Sequence, residues 1–172
     1  CNIDASDPYK AIAVTDTGPS DDYCAHFFYY DGIEIHSMGV IEGSEQTIAA
    51  DGSGILTTSK RGSILHTWFY PQQYRLTSDR KLEEVPAELY PMKYLVKVVK
   101  ELPLVKSPDD PSLSVTLNPG EDALIYASDD KEWLLIVNKD GLEGWVAIDN
   151  YNEIRGTGLT ADEYFEGLIY AD

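Results

Sequence analysis

Lys131-Glu132-Trp133-Leu134-Leu135-Ile136-Val137-Asn138-Lys139-Asp140-Gly141-Leu142-Glu143-Gly144-Trp145-Val146-Ala147-Ile148 carries the strongest fold signal in the chain. A polar pair leads into a Trp-led apolar run. Asn138 to Gly141 then make a tight turn, with Asp-Gly the strongest short-range hairpin signal, and a second Trp-led run follows Gly144. A lone hairpin is barely stable in water, so further strands must flank it. The preceding residues supply them: Leu102 to Val105 is apolar, Ser107 to Pro111 is a turn, and Val115 to Leu117 is a short strand. Asn118-Pro119-Gly120-Glu121 is another turn and Ala123 to Ala127 another strand. Short strands in close succession, each ended by Pro, Gly or Asp, predict a small β-barrel. Gly144, set between Glu143 and Trp145, predicts a bulge or a positive φ.

Working outward toward the N-terminus, the same alternation of strand and turn recurs. Ala11 to Thr15 is a short apolar strand, and Asp16-Thr17-Gly18-Pro19-Ser20-Asp21-Asp22 is a loop of turn formers. Tyr23 to Tyr30 is an aromatic strand, Asp31-Gly32 a tight turn, and Ile33 to Val40 the returning strand. Gln46 to Ala50, the turn Asp51 to Gly54, and Ile55 to Ser59 repeat the unit. Ile64 to Tyr70, Tyr74 to Leu76 and, after a turn at Ser78 to Arg80, Leu82 to Val85 complete the series. Units of this kind in sequence predict an antiparallel meander. Pro86-Ala87-Glu88-Leu89-Tyr90-Pro91 reads as a short linker, which divides the chain into a sheet domain, 1–92, and a barrel domain with a C-terminal extension, 93–172. Tyr94 to Val99 opens the second. Beyond Gly156-Thr157-Gly158, Thr160 is placed to cap a short helix over residues 161–166, with Glu163 at the capping-box position. Leu159, Tyr164, Phe165, Leu168 and Ile169 are too apolar for a free tail and should fold back on one of the domains.

Two resemblances accompany this reading. Leu102-Pro103-Leu104-Val105-Lys106-Ser107-Pro108, Val115-Thr116-Leu117-Asn118-Pro119-Gly120-Glu121, Glu132-Trp133-Leu134 and Gly141-Leu142-Glu143-Gly144-Trp145-Val146 together resemble a bacterial SH3 domain over about residues 93 to 151. The resemblance implies a non-enzymatic targeting or binding module of the kind attached to bacterial cell-wall proteins. The opening loop departs from the family pattern, standing here as Leu104-Val105-Lys106-Ser107-Pro108. In the N-terminal half, Asn2-Ile3-Asp4-Ala5-Ser6-Asp7, Ile12-Ala13-Val14 and Tyr29-Tyr30-Asp31-Gly32 weakly resemble integrin-type (FG-GAP) propeller repeats. That implies an incomplete propeller-like sheet, since about ninety residues make at most two blades.

Composition narrows the function classes. The 172 residues carry 30 acidic against 13 basic side chains, a formal net charge of −17, shared as −8 over residues 1–92 and −9 over 93–172. Such a field repels phosphate backbones and anionic lipid, so nucleic acid is excluded as a partner and membrane docking is disfavoured. A cationic wall component, a basic protein or a divalent cation fits the charge. No apolar run approaches the roughly 20 residues of a membrane helix. Cys1 opens the chain in place of Met, as the lipid-bearing residue of a surface lipoprotein would. A cut within a longer protein is the preferred reading, because foldable sequence follows at once. Cys1 and Cys24 leave a disulfide open. Twelve Tyr against four Phe suit a sheet-rich, secreted bacterial protein.

The candidate chemistry is sparse. Cys24 and His26 alternate on one strand and share a face, but a catalytic thiol generally sits at a helix N-terminus and none is predicted nearby. Cys24-x-His26 lacks the paired spacing of a zinc site, and His36 and His66 would have to converge on it from elsewhere. Calcium is a weak option through acidic loops, Asp4 and Asp7 on one side and Asp16, Asp21 and Asp22 on the other. No other cofactor is expected. The informative set is aromatic: Tyr94, Tyr126, Trp133, Trp145 and Tyr151, which in an SH3-like fold could line a groove for extended peptide. The exposed acids Asp129, Asp130 and Glu132 beside Trp133 are placed to meet ligand amines. The expectation is therefore an all-β, monomeric, extracellular or cell-surface binding module without catalysis of its own, recognising a cell-wall component or peptide. The alternatives are an accessory domain of a cell-envelope hydrolase and a purely structural region of a larger surface protein. A hydrolase would bring Cys24, His26 and a third polar group together.

Overall fold

The structure, a computed structural model, describes residues 2–18 and 23–170. It is all-β, with three antiparallel sheets and no helix among the described residues beyond a single 3-10 turn. The first sheet is a meander of β1 (Ala11–Thr17), β2 (Tyr23–Tyr30) and β3 (Ile35–Glu42). The second is a meander of β4 (Ala49–Ala50), β5 (Ile55–Arg61), β6 (Phe69–Leu76) and β7 (Leu82–Val85). The third takes β8 (Tyr90–Val98), β9 (Leu102–Ser107), β10 (Asp110–Leu117), β11 (Asp122–Ser128), β12 (Trp133–Asn138), β13 (Glu143–Asp149) and β16 (Phe165–Glu166) in the order β10-β9-β13-β12-β11-β8-β16. Two short strands, β14 (Glu153–Ile154) and β15 (Leu159–Thr160), extend it beside β13. None of the sheets closes, so the strands expected to form a barrel are present as an open sheet.

Contacts divide the chain into two compact units that are discontinuous in sequence. One holds the described residues up to Arg61 together with Pro71–Pro86; the other holds Gly62–Tyr70 and the described residues from Ala87 onward. In the first, Ile3, Ala11, Ala25, Phe27, Met38, Ile41, Leu56 and Tyr74 form the core. In the second, alternate residues of β8, β11, β12 and β13 (Val96, Ile125, Leu134, Ile136, Val146, Ile148) pack with Leu104, Leu117, Phe165 and, from the 62–70 segment, Ile64 and Leu65. Each such fully buried aliphatic or Phe side chain contributes roughly 1.5–3 kcal/mol. Trp68, Tyr70 and Tyr90 form a smaller aromatic cluster in the second unit.

Several elements differ from the sequence reading, each for a local reason. The turn after β2 spans Asp31 to Glu34, because the Asp31 carboxylate captures the N–H groups of Ile33 (2.7 Å) and Glu34 (2.8 Å) that a returning strand would have used. Residues 64–68 are a loop and not a strand. Leu65 has a positive φ, Trp68 Nε1 donates to the Ile64 carbonyl at 2.9 Å, and the Gly62 N–H closes on the Trp68 carbonyl at 2.9 Å. Gly62 is required there, since a Cβ would lie 2.1 Å from Trp68 Cε2. Tyr90 and Pro91, read as linker, already belong to β8, opposite Ser128 and Ala127. The helix expected over 161–166 is a 3-10 turn of three residues, Ala161–Glu163, whose chain passes directly into β16. Its N-terminal chemistry is nevertheless the predicted one, with the Glu163 carboxylate accepting the Thr160 N–H at 3.0 Å. Pairing of Phe165 with Val98 of β8 outweighs the weak propensity of so short a helix. Of the apolar C-terminal residues, Tyr164 and Phe165 are buried, Leu159 and Leu168 pack on the core, and Ile169 is exposed.

Candidate functional site

The β12–β13 hairpin forms as read, with Leu135 opposite Trp145 and Trp133 opposite Ala147. Directly paired residues share a face, so Trp133, Leu135, Trp145 and Ala147 lie together on the side away from Leu134, Ile136 and Val146. Trp145 also pairs with Val105 of β9, which adds Val105 to that face. Both indoles are half-buried. Tyr126 is exposed and stands at the irregularity in β11 between Ile125 and Ala127, where one extra residue turns a side chain out of the ladder. Gly144 sits opposite Ile136 on the core side. Its φ is not positive. The glycine is needed because a Cβ would lie 2.5 Å from Leu104 Cβ and 3.2 Å from the Val105 carbonyl oxygen, so close packing by β9 is what excludes a side chain.

The remaining aromatics do not join this face. Tyr94 lies opposite Ile125, packs on the core, meets the His66 ring at a tilt with centroids 4.5 Å apart, and donates its hydroxyl to the Gly167 carbonyl at 2.8 Å. Tyr151 is exposed in the loop after β13, at a positive φ beside Asn150, and its carbonyl accepts the Leu65 N–H. Burial pushes the His66 pKa down, against a smaller upward pull from the backbone at Thr67 and Ile169, neither of which meets hydrogen-bond geometry with the ring.

The acids beside Trp133 are already engaged. Asp129 accepts the N–H groups of Lys131, Glu132 and Trp133, closing the turn into β12. Asp130 accepts from the Ser63 N–H and from the Tyr70 hydroxyl at 2.9 Å. Glu132 and Asp149 both pair with Arg155, whose guanidinium lies 5.5 Å over the Trp133 ring. One face of Trp133 therefore carries a cation from within the chain, whereas Trp145 and Tyr126 have none over them among the described residues.

The calcium candidates are likewise bound up locally. Asp4 accepts the Ser6 N–H and hydroxyl, and those hydrogen bonds hold its carboxyl below the usual range. The same Asp-x-Ser turn recurs at Asp51–Ser53 and Asp110–Ser112, with the same effect. Asp7 accepts the Tyr9 N–H and pairs with Arg80 at 2.9 Å, and Arg80 in turn lies 3.9 Å over the Tyr9 ring. Asp4, Asp7, Tyr9 and Arg80 line a small open recess with Ile3, Tyr29 and Met38. Asp21 and Asp22 lie outside the described residues, as does Cys1.

Asp16 has a different setting. The β1–β2 register places it directly opposite Cys24, with His26 two residues further along β2. Cys24 is a free thiol, and its Sγ lies 3.8 Å from His26 Nε2. One donor atom from each of Asp16, Cys24 and His26 falls within 4.8 Å of the other two. His36 stands apart, paired with Asp31 at 2.7 Å and stacked on Tyr29. His66 belongs to the core of the other unit. Sequence reading paired Cys24 with His26 and missed Asp16, because strand alternation along one chain says nothing of the neighbouring strand. The usable signal was the hairpin register, in which Thr17 faces Tyr23 across the intervening loop.

No family model, curated protein or solved structure matches the chain. No helix among the described residues is long and apolar enough to cross a membrane.

Proposed function

We propose that the protein is a non-catalytic binding module of the extracellular or cell-surface kind, whose second unit recognises an extended cell-wall component or peptide in the manner of an SH3-like domain. The observation that carries this reading is the shared face of Trp145, Val105 and Trp133, each half-buried around the buried Leu135, with Tyr126 exposed at the neighbouring bulge. Half-exposed rings on a rigid sheet supply large contact area at small entropic cost, so a few of them dominate affinity. Consistent with the SH3-like reading, β11, β12 and β13 follow one another as a meander, joined by the turn at 118–121 before it and 138–141 within it, with β9 returning beside β13. The first unit serves on this reading as a structural companion.

Because Asp129, Asp130 and Glu132 already have partners within the chain, binding rests on the rings and not on those carboxylates, and it should change little with salt. Sedimentation with insoluble cell wall, at low and high ionic strength, tests this. Trp145→Ala and Tyr126→Ala should each lower the bound fraction while circular dichroism stays native. No sedimentation of the intact protein at low salt removes the wall-binding reading. Binding that vanishes at high salt in the intact protein removes the role of the rings.

A further inference from the structure

We propose that Asp16, Cys24 and His26 form a three-ligand site for a zinc-class divalent metal ion on the open face of the β1–β2 hairpin, with a fourth coordination position open to solvent.

In an antiparallel ladder, directly opposed residues project from the same face, and residues two apart on one strand return to that face. Asp16 opposite Cys24, and His26 two residues on, thus set a carboxylate, a thiol and an imidazole around one point. A tetrahedral zinc held about 2.3 Å from sulfur and about 2.0–2.1 Å from nitrogen or oxygen places its donors roughly 3.3–3.6 Å apart. The Cys24 Sγ to His26 Nε2 distance is 3.8 Å and all three donors lie within 4.8 Å of one another, so modest rotamer adjustment closes the site without moving backbone.

The alternative chemistry for the same residues is a thiol–imidazole–carboxylate relay. A relay is linear: the acid orients the imidazole through the nitrogen that the thiol does not use. Here Asp16 is the immediate cross-strand neighbour of the thiol itself, and the three donors converge on one point. Convergence is the geometry of chelation. Thiolate and imidazole donors select zinc-class ions over calcium and magnesium, whose preference is for oxygen. Ion binding displaces the Cys24 proton to solvent, leaving thiolate and carboxylate to balance the two positive charges. Val14 and Val40 stand opposite His26 on β1 and β3, and no core side chain covers this face of the ladder. Three protein ligands with one position open is the arrangement of sites that hold water or a further ligand on the metal.

The test is titration of the chelator-treated, reduced protein with cobalt(II), then displacement by zinc. One equivalent should bring up a thiolate-to-cobalt charge-transfer band and visible bands of tetrahedral intensity, and zinc should abolish them while excess calcium does not. Cys24→Ser should remove the charge-transfer band. His26→Ala and Asp16→Asn should each weaken binding on the order of tenfold or more. Cys1→Ser should bind as the intact protein does. All three ligands lie on a strand surface and none is in the core, so circular dichroism should remain native in each variant. Absence of a stoichiometric band in the intact protein overturns the proposal. So does wild-type affinity in either the His26 or the Asp16 variant, or loss of the band in Cys1→Ser.

Discussion

Seventeen buried side chains make one cluster in the second unit, whereas eight make the cluster of the first, counted among the described residues. The smaller core goes with a sheet covered on one face. On β1 to β3, Phe27, Ala25 and Ile41 are buried, while Ile12, Val14, Val40 and Ile35 are each more than half exposed. The second unit draws Ile64 and Leu65 from a segment far away in sequence, and Tyr164 and Phe165 from the C-terminal region, and so encloses its core more fully. Apolar content is therefore not the limiting quantity in the first unit. What differs is how many elements are available to cover each face, and the unit with the uncovered face is also the one that presents polar donors, Asp16, Cys24 and His26, on it.

A cavity opened in each core should have the largest effect. Phe27→Ala should cost about 3–5 kcal/mol and Ile136→Ala about 2–5 kcal/mol. With fewer neighbours able to share the loss, Phe27→Ala should release amide protection across β1 to β3, while Ile136→Ala leaves slow-exchanging amides elsewhere in its own unit. Hydrogen exchange on both variants checks this, and equal collapse of protection in the two would erase the distinction.

Overpacking probes the second unit from the other direction. Gly144→Val places a branched side chain against Leu104 and the Val105 backbone, and should cost about 1–3 kcal/mol by urea unfolding. Gly141→Ala in the same hairpin, where the φ is +78° and nothing crowds the Cβ, should cost less, about 1 kcal/mol. A larger loss at Gly141 would mean that conformational strain and not packing governs this hairpin.

Acid should separate the units by pH. The folded-state pKa of His66 is lowered by burial from 6.5, so the unfolded chain binds the proton first and the second unit loses stability as pH falls below about 6.5. Asp31, in the first unit, is lowered from 3.8 to about 2 by the backbone N–H groups of Glu34 and Ile33 and then by His36. Its contribution is intact above pH 3.8 and is lost only as pH falls toward 2. Trp68, Trp133 and Trp145 all belong to the second unit, so fluorescence-detected urea midpoints report it selectively. The midpoint should fall as pH drops below about 6.5, and His66→Phe should flatten that slope; an unchanged slope would place the acid sensitivity elsewhere.

The smallest expected effect is Arg155→Ala. Its pairs with Glu132 and Asp149 are exposed, so the loss should be about 1 kcal/mol or less. Uncovering the Trp133 ring should nevertheless shift its fluorescence, and a silent spectrum would show that the cation does not sit over the ring in solution.

What the sequence determined by itself was the local grammar of this chain. Strand alternation with Asp-Gly and Pro-Gly turns is a short-range signal, and it was enough for the all-β class, for β2 and β7 to the residue, and for the β12–β13 hairpin. The capping chemistry at Thr160 and Glu163 was legible for the same reason, although the helix it should have started was cut short by pairing across to Val98. Tertiary structure decided everything that depends on which strand lies beside which. Gly144 is glycine because Leu104 presses on it, Tyr94 faces the core because Ile125 is its partner, and the acids near Trp133 are spent on Arg155, Ser63 and Tyr70. Residues 62–70 join the second unit because Trp68 folds its own loop shut and Leu65 finds an apolar core there. Asp16 meets Cys24 only across a ladder. Alternation and turn preference act over two to four residues, whereas these contacts span from eight to more than sixty, and a single sequence carries no term that couples such distant positions.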